Sequence, residues 1–552
     1  MRKRILFPAV ILLSVLMFLT FLPAPAVSAG PSGQLEQADQ LFNKGQYEQA
    51  EAIYQQVAAD YPGTDYAFAA QKGLVILYIK TNEEQKAQAA FDKLIAEFSW
   101  HKGIAEAIWN IAVNYNQAKK SEKACQIHKY NVEHFPDDVY AIRSQAEIIF
   151  SHIRDADDAA ADAAVIDLLS IFSEQPTLPR EIYQVAREYE KFEKYDRALE
   201  LYQYSVENFA DDIHAMMSQT GIAKYYIRKG DDGAADAAFA KLLSTYSEQP
   251  TLPEQIHYVA RKYEECTRYA KALELYQYNV ESFPNDIYTM WSQVRIVRSH
   301  IRDGNHAAAD AALDKLLTLF SGQATLSREV YKIANKFGQA GNNQRAEQLY
   351  QYIIGRWSSD VDVNSRKSVA MSYTCLGLDA ESQGAVQTLT NDFKDHPDLS
   401  LVLWQVAEAD YDLAFRYESQ GLDAKAKEYF TKVINTGEGI LKQWPDSSAA
   451  PEICHIAAVC YERLAEYQQA IEYYQKVVDN WPDYEDAWKA ELRIAKMSKW
   501  LILTGAISLS EADAAINTAY ERVLRRYPDS PAAEVLRHHF EGDVKPEEGA
   551  QK

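Results

Sequence analysis

Between Glu181 and Phe209, apolar and small side chains return at every third or fourth position. Ile182, Val185, Ala186 and Tyr189 form one stripe. Ala198, Leu201, Tyr202, Ser205, Val206 and Phe209 form a second. That spacing predicts two amphipathic helices, separated by the polar stretch Glu190 to Lys194. The pattern then returns as Ile222, Ala223 and Tyr226, a break at Lys229-Gly230-Asp231-Asp232-Gly233, and Ala235, Ala238, Phe239 and Leu242. Small alanines at crossing points let helices approach closely, and the rings fill the gaps between neighbours. No segment sustains the period-two alternation of a half-buried strand, so the expected fold is all-α.

The hairpins repeat. Ser173-Glu174-Gln175-Pro176-Thr177-Leu178-Pro179 returns 74 residues later as Ser247 to Pro253, and in altered form as Ser321 to Ser327. Leu201-Tyr202-Gln203-Tyr204, Leu275 to Tyr278 and Leu349 to Tyr352 keep the same 74-residue step. Each period holds two helix-turn-helix halves of about 37 residues, and such regular repetition is the mark of a solenoid. Thr251 and Glu254 have the spacing of a capping box, with Pro253 in the first turn. The recurring motif is therefore expected to be a loop and helix cap.

Small residues in both helices, a large one between them and a closing aromatic-Pro pair resemble the tetratricopeptide repeat (TPR). The first unit shows this in Ala38, Leu41, Gly45, Tyr47, Ala50, Tyr54 and Pro62, and a late one in Ala458, Tyr461, Tyr467, Ala470, Tyr474 and Pro482. The resemblance covers roughly 33–535. It implies an α-solenoid of about twelve stacked units in a right-handed superhelix. With a leader peptide, the chain resembles bacterial envelope proteins of the outer-membrane-assembly and Tol-Pal-coordinator type. The expected division is a signal peptide at 1–29, an N-terminal array at 30–360, a C-terminal array with longer units at 361–535, and a flexible acidic tail at 536–552. The mostly polar stretch Asp360 to Ser368 marks the expected joint between the arrays.

The leader reading rests on the basic residues Arg2, Lys3 and Arg4, the apolar run Ile5 to Leu22, and small residues at Val27 and Ala29. These fit cleavage after Ala29, the alternative being an uncleaved anchor helix. No Cys precedes Cys125, so an N-terminal lipid-modified cysteine is excluded. The expectation is a periplasmic or secreted protein without a membrane span after cleavage. A net charge of -22 argues against non-specific nucleic-acid binding, which runs on Lys and Arg neutralising phosphates. Five cysteines in 552 residues are too few for a disulfide scaffold.

In proteins of the resembled family, the first helix of each unit lines the concave face. Aligned on that helix, the repeats form ladders: Trp109, Tyr183, His257 and Tyr331; Arg154, Arg228 and Arg302; Arg187, Arg261 and Asn335; Lys224 and Arg298. Arg pairs planar carboxylates in bidentate fashion, and aromatics supply rigid apolar area. Trp109, Tyr183, Arg187, Arg228, His257, Arg261, Arg298, Arg302 and Tyr331 are therefore the expected partner-binding residues. Two plainer sources of the pattern also exist: arginines near helix C-termini favour the dipole, and duplication copies unused residues.

No nucleophile elbow, phosphate loop, dinucleotide fingerprint or HExxH motif is present. Cys454 and Cys460 lie six residues apart, on different faces of one helix, so neither a zinc site nor a disulfide is expected. No catalytic residue, metal or cofactor is expected. The anticipated function is a non-catalytic scaffold binding an extended peptide or partner protein in its groove. Cell-wall or polysaccharide binding through aromatic side chains is the alternative, with a glycan as partner.

Overall fold

A computed structural model describes residues 30–528 and 530–542. The expected leader, 1–29, and the last ten residues of the expected tail lie outside them. Among the described residues there are twenty-seven helices, α1 to α27, and no strand. None of these helices is long and apolar enough to cross a membrane. The chain divides into two units between Arg268 and Tyr269.

The first unit holds α1 (Pro31–Asn43) to α13 (Leu252–Glu265). The two helices of each hairpin pack on one another, and the odd-numbered helices also stack, as α7 (Val139–Arg154) on α9 (Leu178–Lys191) and α9 on α11 (Ile213–Lys229). Helix α9 shows how the sequence fixes this. Its predicted stripe, Ile182, Val185, Ala186 and Tyr189, is fully buried. The chain then reverses at Glu193, whose φ is +60°, and the Lys194 N–H donates to the Tyr189 carbonyl at 2.9 Å. That bond closes a Schellman turn, in which a left-handed residue satisfies orphan carbonyls at the helix end. Left-handed residues stand at every such turn of this unit, at Gly45, Asn82, Lys119, Ala156, Glu193, Gly230 and Thr267. Helix α10 (Tyr195–Asn208) returns with Ala198, Leu201, Tyr202, Ser205 and Val206 buried.

A second device ties the hairpins together. Buried Gln71, Gln145 and Gln219 donate side-chain hydrogen bonds of 2.7–2.8 Å to the carbonyls of Ala90, Ala164 and Ala238. Each spans nineteen residues, from the first helix of a hairpin to its second. Burying an amide is costly unless it is bonded, and the alanine leaves room for the approach.

The second unit holds α14 (Tyr269–Ser282) to α27 (Pro531–Gly542). It repeats the plan, with Gln293 donating to the Ala312 carbonyl at 2.7 Å and left-handed residues at Gly304 and Gly341. The packing does not break at the expected joint, 360–361. Helix α19 (Val363–Cys375) packs on both α17 (Leu326–Gln339) and α18 (Asn343–Trp357). The polar residues that marked the joint are buried in pairs: Ser365 with Ser327 at 3.3 Å, and Lys367 with Gln405 at 2.7 Å. Helix α27 runs into the segment expected as tail and reaches Gly542.

The expected capping box at Thr251 does not form. The Thr251 hydroxyl makes no cap bond and is buried without a partner, as are those of Thr177 and Thr325. Among the described residues the capping box occurs instead at Ser508 and Glu511. The first-turn prolines Pro179 and Pro253 stand where expected, at positions with no intrahelical N–H bond to lose.

A cationic cleft as candidate functional site

The C-terminal turns of α9, α11 and α13 lie side by side in the first unit. They enclose a cleft of about 350 Å³ lined by Arg187, Glu190, Lys191, Lys224, Arg228, Tyr258, Arg261, Lys262 and Glu265. Six of these side chains are cations and two are carboxylates. In a chain of net charge -22, that concentration of positive charge is local and opposite to the whole.

The carboxylates are already engaged. Glu190 accepts from the Tyr202 hydroxyl at 3.0 Å and sits 3.8 Å from the Lys224 ammonium. Glu265 pairs with Arg261 at 3.3 Å and Lys262 at 3.2 Å. The Arg187 guanidinium lies 6.0 Å from the Tyr183 ring centre, and Arg228 lies 3.8 Å over Tyr195. Burial holds the Lys224 ammonium below the ordinary lysine range; Glu190 opposes this, and Lys262 and Arg187 reinforce it. A positive group crowded by other cations gains from an anionic ligand. The cleft offers several charge-assisted donors and no Ser, Cys or His among its lining residues. Such donors can hold a carboxylate or another anion.

The expected binding residues divide on this geometry. Arg187, Arg228 and Arg261 line the cleft, with Lys224 from the fourth ladder. Tyr183 is half-buried behind them, in contact with the rings of Tyr202 and His214 at 6.1 and 6.2 Å. His257 is not a groove residue, because its ring is only 4 % exposed. Trp109, on α5 (Ile104–Gln117), is half-buried against Tyr140, with its indole N–H unpartnered. The remaining three lie in the second unit. Tyr331 is mostly buried, with its hydroxyl 3.4 Å from the Cys375 sulfur, and lines a separate cleft of the second unit with Asn335. Arg302 stacks 3.6 Å over Tyr269 and bonds Asp303 at 2.9 Å. Arg298 is half-buried.

Sequence reasoning missed Lys191, Tyr258, Lys262 and the two glutamates. Lys191 and Lys262 lie four and one residues after Arg187 and Arg261, so they share the same helix ends. A count of charge over the last turn of each first helix would have found both.

A family model described as tetratricopeptide repeat matches residues 33–64 and 456–484. These spans cover the α1–α2 (Tyr47–Asp60) hairpin and most of the hairpin of α23 (Ala450–Arg463) and α24 (Tyr467–Asn480), one in each unit. No curated protein matches the sequence. Among solved structures, the chain is similar to a Podosopora anserina putative kinesin light chain with nearly identical TPR-like repeats. Identity is 16%, 33% of this chain and 95% of that one are covered, and the TM-score is 0.26. It is also similar to the human IFIT1 dimer with m7Gppp-AAAA, at 13% identity over 68% of this chain and 89% of that one, with a TM-score of 0.27. The chain is an all-α solenoid with tetratricopeptide-type hairpins in both units. That architecture is one of protein-binding repeats.

Proposed function

We propose that the chain is a non-catalytic scaffold whose cationic cleft takes an acidic, extended stretch of a partner protein. The observation that carries this reading is the gathering of Arg187, Lys191, Lys224, Arg228, Arg261 and Lys262 on three adjacent helix ends. Cations at helix C-termini are individually ordinary. Six around one open cleft exceed what Glu190, Glu265 and Glu188, which pairs with Lys191 at 3.4 Å, can balance. The proposal also places the protein in the cell envelope, exported under its leader. The basic start, apolar run and small-residue site of residues 1–29 support that part.

Fluorescence anisotropy with a labelled octaglutamate peptide tests the cleft. The double reversal Arg187→Glu with Arg261→Glu is expected to weaken binding at least about tenfold, since hydrogen bonds to charged groups contribute about 1.5–3 kcal/mol each. Circular dichroism should not change, because neither side chain is buried. Equal affinity in the variant contradicts the assignment. So does a single-stranded oligonucleotide that binds in place of the peptide with the same dependence on these residues.

A further inference from the structure

One cleft of the second unit lies between two successive hairpins. In this unit the second helix of some hairpins packs on the first helix of the next, as α18 on α19 and α24 on α25 (Ala487–Leu503), whereas α16 (His306–Leu319) makes at most passing contact with α17. Helix α20 (Asp379–Asp392) follows the second pattern. It packs on α19 but barely touches α21 (Leu399–Ser419), while α19 packs directly on α21. Only Ser382 and Leu389 of α20 are buried. Helices α21 and α22 (Asp423–Gln443) are 21 residues each, against 14 for most others. A cleft of about 580 Å³ is left between α20 and this longer pair.

Its lining includes the apolar side chains of Val386, Leu403, Val406, Ala407 and Ile440. It also carries a connected polar network. The Lys432 ammonium donates to Asp379 and to Asp410, both at 2.8 Å, and the Tyr429 hydroxyl donates to Asp379 at 2.9 Å. Asp410 is only 4 % exposed, and burial pushes its carboxyl up while Lys432 pulls it down. Glu428, one helical turn before Lys432, adds a third carboxylate to the lining. Three carboxylates against one ammonium leave a net charge of two negative. An apolar cavity of a few hundred Å³ with a few convergent polar groups has the form of a small-molecule site.

We propose that this cleft binds a small organic amine, with the ammonium at the Asp410–Glu428 end and the apolar body against Leu403, Val406 and Val386. The charge selects a cation, and the apolar lining selects one with a hydrocarbon portion. Lys432 already occupies part of the acidic end, so the ligand's ammonium takes the carboxylate surface Lys432 leaves open.

Isothermal titration of the full chain with hexylamine, hexanol and hexanoate at pH 7 tests this. Hexylamine should saturate one site. Hexanol should bind at least roughly tenfold more weakly, having lost the charged contact, and hexanoate not at all. Asp410 also holds Lys432, so its substitution risks the fold. The variant of choice is Val386→Trp, which fills the cleft from a half-buried position and should abolish hexylamine binding with an unchanged circular dichroism spectrum. Hexylamine binding retained by Val386→Trp, hexanoate binding as well as hexylamine, or no hexylamine binding at all would each overturn the proposal.

Discussion

At the scale of single residues, the unusual feature is how many ionisable and polar groups are buried. Glu491 is the extreme case. It is fully buried, neither carboxylate oxygen has a hydrogen-bond partner, and Arg522 stands 3.7 Å away. Burial raises its pKa from 4.5 to about 7, with Arg522 and Arg526 opposing. Between those values the folded chain holds a proton that the unfolded chain has lost. Glu491 therefore costs nothing below its unfolded pKa, and stability falls as the pH rises through 7. Glu491→Gln removes that dependence. It should raise stability on the order of 2 kcal/mol at pH 8 and much less at pH 5, as read from urea midpoints. An equal gain at both pH values would show that the ionisation is not the cause. His128 is another such group: it fills the slot that Tyr54 and Tyr202 fill one period away in the same unit, and burial lowers its pKa to about 3.

At the scale of the helical element, the hairpin turn is the repeated unit of construction. Its left-handed residue recurs every 37 residues from Gly45 to Gly341. Glycine accepts that conformation freely, whereas other residues pay about 1–2 kcal/mol. Thr267, with φ +60°, is β-branched and so the most strained of them. Thr267→Gly should stabilise the first unit by about 1 kcal/mol, less than the full relief because glycine loses more freedom on folding. Thermal unfolding checks this, and a lowered midpoint would mean the threonine side chain supplies more than its backbone strain removes. The turns were legible in the sequence only where glycine marks them, as at Gly230. Asn82, Lys119, Ala156 and Glu193 carry no such mark, because the closing hydrogen bonds impose the conformation. The buried glutamine clamp was overlooked for the opposite reason. Gln71, Gln145, Gln219 and Gln293 stand on a strict 74-residue step, but polar residues within a helix read as exposed until their acceptor is seen. The Thr251–Glu254 spacing misled in the same way: it permits a capping box, and the Thr251 backbone turns instead without using its hydroxyl.

At the scale of the whole molecule, periodicity delivered the all-α hairpin plan, since every hairpin must cover its neighbour's apolar stripe. It did not place a break. Asp360 to Ser368 marked the expected joint because its residues are mostly polar, yet Ser365, Lys367 and Ser368 are buried with partners. The site was legible in part. Ladder alignment picked out Arg187, Arg228 and Arg261, which share the cleft, because repeat register fixes the position along the helix. It also selected His257 and Tyr331, which are buried, because register says nothing of how deeply a side chain sits. Arg228 and Arg302 recur for a packing reason as well, each lying over a tyrosine 33 residues earlier, Tyr195 and Tyr269.

The assignment of an acidic partner to the α9–α11–α13 cleft is tested most directly by hydrogen exchange of the full chain with and without saturating octaglutamate. Slowed exchange should concentrate in the last turns of α9, α11 and α13. Peptide that saturates the chain while those turns exchange at their unliganded rates would contradict it.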